Sequence, residues 1–378
     1  MKKTLSLILS AILVLSLLSG CGQGPQSENI GSMGEPVSSM ELDFAQGFSV
    51  DYYEGGYKLI SISDGSSFLV IPEGKSLPKG APEGAVPLYQ PVERIYMAAT
   101  AVMCLFDALD GLGSIAFSGS RAENWYVEGA KKAMEEGRMV YAGKYSEPDY
   151  EMLVQSSCPL AVESTMINHS SEVKDKLEEL GIAVLTDQSS NEPHPLGRTE
   201  WIRLYGAILD KEEEADAVME RQKAELEEAL SAGKSGRTVA FFYISSSGRA
   251  VVRRSGDYVS KMIDLAGGQY AFSDIGDPDS KSSTVTLEME TFFSSVRDAD
   301  VIIYNSNIDG EVKTLDDMLR KSSLLQGLKA VGEGNVWCTG QNMYQQTTEL
   351  GTIIKSFSRV FSGQADGLDE LPFLYRLR

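Results

Sequence analysis

Two series of alternating strand-like and helix-like segments constrain the fold of this chain more than any other feature. In the first series, short apolar segments have the length of buried strands; they are Ile95–Ala98, Ser114–Phe117, Met139–Tyr141, Leu160–Val162 and Ile182–Leu185. The segments with helical character are Ala101–Leu109, Val127–Glu136, Tyr150–Gln155 and Glu172–Leu180. Strands that alternate with helices form largely parallel sheets with helices on both faces, so the pattern predicts an α/β fold.

One long helical segment, from Asp210 to Ala232, separates the two series. Asp210 and Glu213 have the spacing of a capping box, and the apolar residues that follow recur at helical spacing. The second series then has strand segments at Thr238–Tyr243, Val301–Tyr304 and Asn335–Cys338, and helices at Tyr258–Leu265 and Thr348–Phe361. The chain after the N-terminal region, about 340 residues, exceeds what one core usually serves. We therefore predict two Rossmann-like lobes joined by one long α-helix.

An N-terminal β-hairpin is predicted ahead of the first lobe. Tyr57–Ile62 and Ser67–Ile71 are strand-like and flank the turn residues 63–66. The segment 72–91 is rich in proline and glycine and is interpreted as a connecting loop.

The N-terminus predicts export and lipid anchoring. Lys2 and Lys3 precede an almost wholly apolar run, Thr4–Leu18, which is too short for a comfortable transmembrane helix. The sequence Leu18-Ser19-Gly20-Cys21 resembles a bacterial lipobox, which implies that Cys21 is lipidated; the alternative is a secreted protein with an incidental cysteine. Residues 22–40 have the composition of a flexible tether. We expect the body of the protein on the extracytoplasmic face of the cell membrane.

Composition excludes several classes of function. The formal net charge of −20 disfavours binding to nucleic acid. Beyond Cys21, Cys104, Cys158 and Cys338 are an odd number without close spacing, so neither a disulfide framework nor a zinc site is expected. Two histidines cannot form a multi-histidine metal centre, and we predict neither a metal site nor a cofactor. No nucleophile elbow, P-loop or zinc-protease motif is present, so we predict that the protein is not an enzyme.

Two stretches of the chain resemble each other and also resemble a known family. Tyr150–Val162 and Met289–Ile303 each begin with an early-helix glutamate, continue as a two-turn helix and end in a buried strand. With the Leu265-Ala266-Gly267-Gly268 helix ending and the order of elements, residues 41–363 resemble the substrate-binding proteins of ATP-driven importers for iron complexes and cobalamin.

The resemblance implies a ligand in the cleft between the lobes and an ABC permease and ATPase as partners. It implies an iron–siderophore chelate as the first ligand to consider, with cobalamin or haem as alternatives. It also implies that Glu151 and Glu290 dock to arginines of the permease; both glutamates also suit the first turn of a helix. A sensor or adhesive lipoprotein without a transporter, or an enzyme, remains as a remoter alternative.

Candidate ligand residues follow the predicted strands, where clefts form in open α/β sheets. Arginines suit anionic groups, and aromatic side chains suit flat ligands. The candidates are Arg121, Trp125, Tyr126, Arg198, Trp201, Tyr243, Arg249, Arg253, Arg254 and Tyr344. His194 lies on a proline-rich turn and is interpreted as structural in the first instance, with metal ligation as the alternative.

The predicted organisation has seven parts. They are a signal peptide (1–21), a tether (22–40), a hairpin with connecting loop (41–90), an N-terminal lobe (91–209), an inter-lobe helix (210–234), a C-terminal lobe (235–363) and a C-terminal tail (364–378).

Overall fold

The computed structural model of the protein describes residues 33–276 and 282–378. The predicted signal peptide, Cys21 and the tether up to residue 32 lie outside the described residues.

The described strands are short, as the apolar segments predict. They are β1 (Ser38–Ser39), β2 (Phe48–Tyr52), β3 (Lys58–Ile62), β4 (Ser67–Ile71), β5 (Val86–Tyr89), β6 (Ile95–Met97), β7 (Ile115–Ser118), β8 (Val140–Tyr141), β9 (Gly143–Lys144), β10 (Glu147–Pro148), β11 (Leu160–Ser164), β12 (Ala183–Asp187), β13 (Thr238–Ile244), β14 (Ala250–Arg253), β15 (Gln269–Tyr270), β16 (Thr284–Leu287), β17 (Val301–Tyr304), β18 (Val336–Thr339), β19 (Glu370–Leu371) and β20 (Leu374–Arg376).

The described helices include one at each predicted helical segment, with ends that agree to within two residues, and further helices that the sequence did not predict. They are α1 (Met103–Ala108), α2 (Glu128–Glu135), α3 (Tyr150–Gln155), α4 (Ser171–Glu179), α5 (Pro195–Glu200), α6 (Ile202–Leu209), α7 (Glu212–Ser231), α8 (Tyr258–Leu265), α9 (Met289–Val296), α10 (Leu315–Lys321), α11 (Lys329–Gly332) and α12 (Leu350–Phe361). No helix among these is both long enough and apolar enough to cross a bilayer.

The N-terminal region is a five-stranded sheet rather than an isolated hairpin. The predicted hairpin is present as β3 and β4, with Ile60 opposite Phe68, but β2 extends it on one side and β5 on the other. Val50, Ile60 and Val70 face inward and join the core that also contains α1 and α6. This N-terminal sheet therefore packs against the first lobe instead of standing apart from it.

The N-terminal lobe contains a five-stranded parallel sheet in the order β12-β11-β6-β7-β8. Hydrophobic cores lie on both of its faces. The predicted parallel α/β fold is thus confirmed for this lobe.

The C-terminal lobe has a mixed sheet in the order β16-β14-β13-β17-β18-β20-β19. Its centre, β13, β17 and β18, is parallel, as predicted. The segment 364–378, predicted as a tail, contributes β19 and β20, which pair antiparallel beside β18. The last residues of the chain therefore belong to the sheet of this lobe.

Three successive helices, α5, α6 and α7, occupy the chain between β12 and β13. The long helix α7 packs against α6 and against α12 of the C-terminal lobe. The contact with α12 is close: the Gly351 N–H donates to Gln222 Oε1 at 2.8 Å, and a Cβ at Gly351 would lie 2.4 Å from the Gln222 carbonyl oxygen. Glycine at this position lets the two helices approach each other.

The predicted capping box at the start of α7 is wrong. Asp210 has a left-handed backbone (φ 55°) and ends α6, and Lys211 precedes α7 without a side-chain cap. The Asp210 carboxylate instead accepts a hydrogen bond from Lys58 Nζ of the N-terminal sheet at 2.5 Å. A long-range ion pair has replaced the local interaction.

The three cysteines of the described residues, Cys104, Cys158 and Cys338, are free thiols in the cores, each no more than 5% exposed. Burial raises the pKa of all three thiols, to about 11 for Cys158 and Cys338.

Candidate functional site

A cleft of about 990 Å³ lies between the two lobes. One wall comes from segments that follow β11 and β12 of the N-terminal lobe, and the other from the start of α8 and the residues just before it. The position agrees with the rule that ligands bind at the carboxyl ends of parallel strands. The lining residues are Asp64, Thr165, Asn168, His169, Lys174, Gln188, Ser190, Asn191, Glu192, Pro193, Arg254, Gly256, Asp257, Tyr258 and Ser283.

Hydrogen bonds hold the wall that follows β12. Asp187 ends this strand, and its carboxylate accepts from the Ser189 N–H at 3.1 Å and from the Tyr205 hydroxyl at 2.7 Å. Asn191 Nδ2 donates to Gln188 Oε1 at 2.8 Å. The polar side chains of this loop are therefore presented to the cleft from a fixed backbone.

The opposite wall contains a buried group of charged and hydroxyl side chains at the start of α8. Asp257 caps this helix by accepting from the Val259 N–H at 3.0 Å and lies 3.8 Å from the Arg253 guanidinium. Arg253 also donates to the Tyr344 hydroxyl. Burial raises the pKa of Asp257, while Arg253 opposes that shift. Arg249, Arg253 and Arg254 lie close together in the sequence and form the predicted arginine cluster; Arg254 is the member that lines the cleft.

Contacts across the lobes flank the cleft. The Arg198 guanidinium of α5 lies 4.0 Å from the centre of the Tyr258 ring of α8. Elsewhere between the lobes, the Tyr126 N–H donates to Gln345 Oε1 at 2.9 Å, and Gln345 Nε2 donates to the Asn124 carbonyl at 2.8 Å. The two lobes are thus in direct contact at both places in this conformation.

The structure brings several of the predicted ligand residues to the boundary between the lobes. Arg254 lines the cleft, and Arg198 contacts Tyr258, which also lines it. Arg253 and Tyr344 form a hydrogen-bonded pair behind the cleft. Tyr126 is 41% exposed and bridges the lobes through its backbone N–H.

The remaining predicted ligand residues lie elsewhere. Trp125 and Trp201 are buried in the N-terminal core, where their indole N–H groups donate to Ser118 Oγ and Glu192 Oε1, so neither ring offers a face to a ligand. Arg121 stacks on Tyr141 within its own lobe, at 4.4 Å. Arg249 pairs with Glu288 at 2.8 Å on the surface. Tyr243 is half-buried against the C-terminal core.

Sequence reasoning missed most of the residues that line the cleft. Asn168 and His169 lie in the 3₁₀ turn directly after β11, and Gln188 and Ser190 directly follow β12. Both strands were predicted, so the rule that points to strand ends could have found these residues. Lys174 of α4 carried no such signal.

Glu163 is a second residue that the sequence did not single out. It lies in β11 opposite Thr186 of β12, and the cleft residues Thr165 and Gln188 each come two residues later, just after the two strands end. Glu163 is fully buried, and its carboxylate oxygens and the Thr186 hydroxyl have no hydrogen-bond partner among the described residues. Burial raises the pKa of Glu163 to about 8. A buried carboxyl group without a hydrogen-bond partner among the described residues therefore lies in the strands that lead into the cleft.

His194 has a structural environment. Its Nδ1 accepts from the Leu196 N–H at 3.1 Å at the start of α5, and its ring stacks on Phe44 at 4.5 Å between centroids. Burial lowers the pKa of His194. In the part of the chain that the structure describes, no three histidine, cysteine, aspartate or glutamate residues group together as metal ligands.

Glu151 and Glu290 are placed alike in the two lobes. Each is exposed in the first turn of its helix, α3 or α9, and each helix precedes a buried strand, β11 or β17. The internal similarity that the sequence indicates is therefore present in the arrangement of these elements.

The chain belongs to the periplasmic binding protein family, whose model matches residues 106–343, more than half of the 378-residue chain. It is a solute-binding protein of an ABC importer of this class, a class that binds substrates rather than transforming them. The family resemblance given by the sequence is confirmed.

Individual relatives agree with this assignment. An uncharacterized lipoprotein of Methanocaldococcus jannaschii is 25% identical over 378 aligned positions, which cover 91% of this chain and 89% of the relative. A periplasmic binding protein from Veillonella parvula superposes with a TM-score of 0.61 at 15% identity, covering 84% of this chain and 98% of the other. A periplasmic heme binding protein of Vibrio cholerae gives a TM-score of 0.57 at 18% identity, covering 72% and 99%. At these identities the solved structures show the common fold.

Proposed function

We propose that this protein captures an anionic iron chelate of the siderophore type in the inter-lobe cleft and delivers it to an ABC permease and its ATPase. The observation that carries the proposal is a pair of cations in the cleft, Lys174 from the N-terminal lobe and Arg254 from the C-terminal lobe. The three acidic lining residues, Asp64, Glu192 and Asp257, each accept hydrogen bonds from backbone N–H groups, which partly compensate their charge. Guanidinium and ammonium groups suit the negative oxygens of such a chelate. Asn168, Gln188 and Asn191 add hydrogen-bonding side chains to the same cleft.

The polar lining favours a chelate over a large apolar ligand. Small-molecule sites are usually lined mainly by apolar and aromatic side chains. Among the described residues that line this cleft, Tyr258 is the one phenylalanine, tyrosine or tryptophan. A ligand with many hydrogen-bonding groups would use this surface better than a mainly apolar macrocycle.

Haem or cobalamin is the second candidate ligand, and His169 is the observation in its favour. This histidine is exposed and lines the cleft. A neutral imidazole can ligate the metal at the centre of either macrocycle.

We place the protein on the extracytoplasmic face of the membrane, anchored through lipidated Cys21 and docked to the permease through Glu151 and Glu290. The lipobox supports the anchor. The matching exposed positions of the two glutamates support the docking, since a transporter with two similar subunits could contact both lobes at once.

A fluorescence titration tests the ligand class. Trp201 donates to Glu192, which lines the cleft, so its emission is expected to respond when the cleft fills. The panel is a ferric catecholate, a ferric hydroxamate, cobalamin and haem. The proposal expects saturable binding of an anionic ferric chelate with higher affinity than cobalamin or haem. Tightest binding of haem or cobalamin would select the second candidate, and binding of none of the four would reject both.

A further inference from the structure

Five consecutive backbone N–H groups of the N-terminal segment bind two buried glutamates beside the cleft. Glu200 accepts from Asp43, Phe44 and Ala45 at 2.7–2.9 Å. Glu192 accepts from Gln46 and Gly47, both at 2.9 Å. We call residues 43–47 the strap. A carboxylate that accepts several N–H groups forms charge-assisted hydrogen bonds, which are stronger than neutral ones.

Two glycines make this close approach possible. A Cβ at Gly47 would lie 2.8 Å from Glu192 Oε1 and 3.0 Å from the Trp201 ring. A Cβ at Gly197 would lie 3.1 Å from the Phe44 carbonyl oxygen. The strap therefore fits against α5 with no space for an added methyl group.

The glutamates hold the segment that forms one wall of the cleft. Glu192 itself lines the cleft, together with Gln188, Ser190 and Asn191 of the same loop. Glu200 ends α5, the helix that follows this loop. Fixing both ends of the segment 192–200 against the strap restricts how far this wall can move.

The same segment contacts the other lobe on its far side. Leu196 packs in the C-terminal core, Thr199 Oγ1 donates to the Thr347 carbonyl at 2.7 Å, and Arg198 stacks on Tyr258. Phe44 of the strap packs against the cores of both lobes. The strap thus reaches the lobe boundary directly and through α5.

We propose that Glu192 and Glu200 are positioning residues of the ligand site, which act through the strap to fix the cleft wall and the relative placement of the lobes. The strap lies outside residues 106–343, the part of the chain that the family model matches. The inference uses the cleft of the proposed function, but its structural consequence does not depend on which ligand binds.

The test compares Gly47→Ala with Gly113→Ala in the full lipidated chain in detergent. The first change places a methyl group against Glu192, whereas a Cβ at Gly113 meets nothing within 4 Å. Hydrogen exchange measured by mass spectrometry follows amides 43–47 and 188–200. Spin labels on Glu178→Cys and Asp316→Cys, exposed sites on the two lobes, report the inter-lobe distance.

In Gly47→Ala we expect amides 43–47 and 188–200 to exchange at least about ten times faster than in the unaltered protein, because strong hydrogen bonds are lost. We also expect a broader inter-lobe distance distribution and weaker binding of the ferric chelate that binds best to the unaltered protein. Gly113→Ala should match the unaltered protein in all three measurements.

Glu200→Gln provides a second variant if Gly47→Ala does not fold, since it keeps the shape of the side chain and removes its charge. Rapid exchange of the strap with an unchanged cleft wall and inter-lobe distance would overturn the inference. Continued protection of amides 43–47 in Gly47→Ala would overturn it as well. If no ferric chelate binds to the unaltered protein, the proposed function fails, while the exchange and distance measurements still decide this inference.

Discussion

At the scale of single residues, the strands that lead into the cleft contain buried polar groups whose charge state is set by their surroundings. Glu163 and Thr186 face each other across β11 and β12 with no hydrogen-bond partner for the carboxylate or the hydroxyl among the described residues. A buried carboxylate without a partner is costly, whereas a protonated one is tolerated. Glu163 is therefore expected to be neutral at pH 7.

Glu163→Gln should remove a pH dependence of stability. The pKa of Glu163 is raised from 4.5 to about 8 in the folded protein, so folding takes up a proton between these values. Stability then falls as the pH rises through this window, because ionisation favours unfolding. The glutamine variant, which cannot ionise, should be more stable than the unaltered protein at pH 9 by about 2–5 kcal/mol and similar to it at pH 5.

Denaturant unfolding at the two pH values measures this difference. Glu178→Gln, a change at an exposed position, serves as the control. An equal effect of Glu163→Gln at both pH values would show that Glu163 does not titrate in this range.

An experiment can distinguish the arginines of the predicted cluster that bind the ligand from those that do not. Arg254 lines the cleft, whereas Arg249 is 45% exposed and pairs with Glu288. We expect Arg254→Gln to weaken binding of an anionic ferric chelate about tenfold or more, because a charge-assisted contact in the cleft is lost. Arg249→Gln is expected to change affinity less than about twofold. Isothermal titration of both variants tests this assignment; equal losses would favour a general effect of charge.

At the scale of elements, the sequence predicted the parallel strands and most helices well because their apolar residues are buried. Tyr150–Gln155 and Tyr258–Leu265 match the observed helices residue for residue. Four of the strands that the sequence did not predict have a different character. β1 and most of β5 are exposed, and β19 and β20 are short, so none of them carries a strong apolar pattern. The start of α7 was missed because the Asp210 side chain binds a lysine 152 residues away.

The N-terminal sheet is joined to the helices between the lobes by a buried lysine. Lys58 Nζ donates to the Ala207 carbonyl at 2.9 Å and contacts Asp210 and Glu212 at 2.5 and 2.6 Å. Lys58→Met should destabilise the protein by about 1–3 kcal/mol, since it leaves the carbonyl and both carboxylates without this donor. Chemical denaturation measures the change. Lys75→Met, at an exposed lysine of the same sheet region, should have an effect under about 0.5 kcal/mol.

At the scale of the whole molecule, the two-lobe architecture could be predicted from the sequence but the content of the cleft could not. Strand ends identify the loops that approach the cleft, and Arg254 was found in this way. The prediction that aromatic side chains would contact the ligand did not identify cleft residues at Trp125 and Trp201, since both fill the N-terminal core. Lining residues such as Lys174 depend on how α4 packs, and sequence spacing does not reveal that packing.

The docking proposal requires both lobes to act together. Each exposed charge pair contributes only about 0–1 kcal/mol, but two pairs at a fixed separation reinforce each other. Glu151→Lys with Glu290→Lys should abolish uptake of the ligand while affinity in solution stays within about twofold. Uptake assays in cells and titration of the purified variant measure the two effects. Glu178→Lys with Asp316→Lys changes the same charge at other exposed positions and should transport normally.

The buried thiols have a consequence for the proposed location of the protein outside the cytoplasm, where oxidants are abundant. Oxidation and disulfide exchange proceed through the thiolate, yet the folded protein holds Cys104, Cys158 and Cys338 in its cores with raised pKa values. Once folded, the body of the protein therefore resists sulfenylation and mixed-disulfide formation without help from a thiol reductase. On the proposed export route, the vulnerable interval is the passage from the translocon to the native state, when these sulfurs are still accessible.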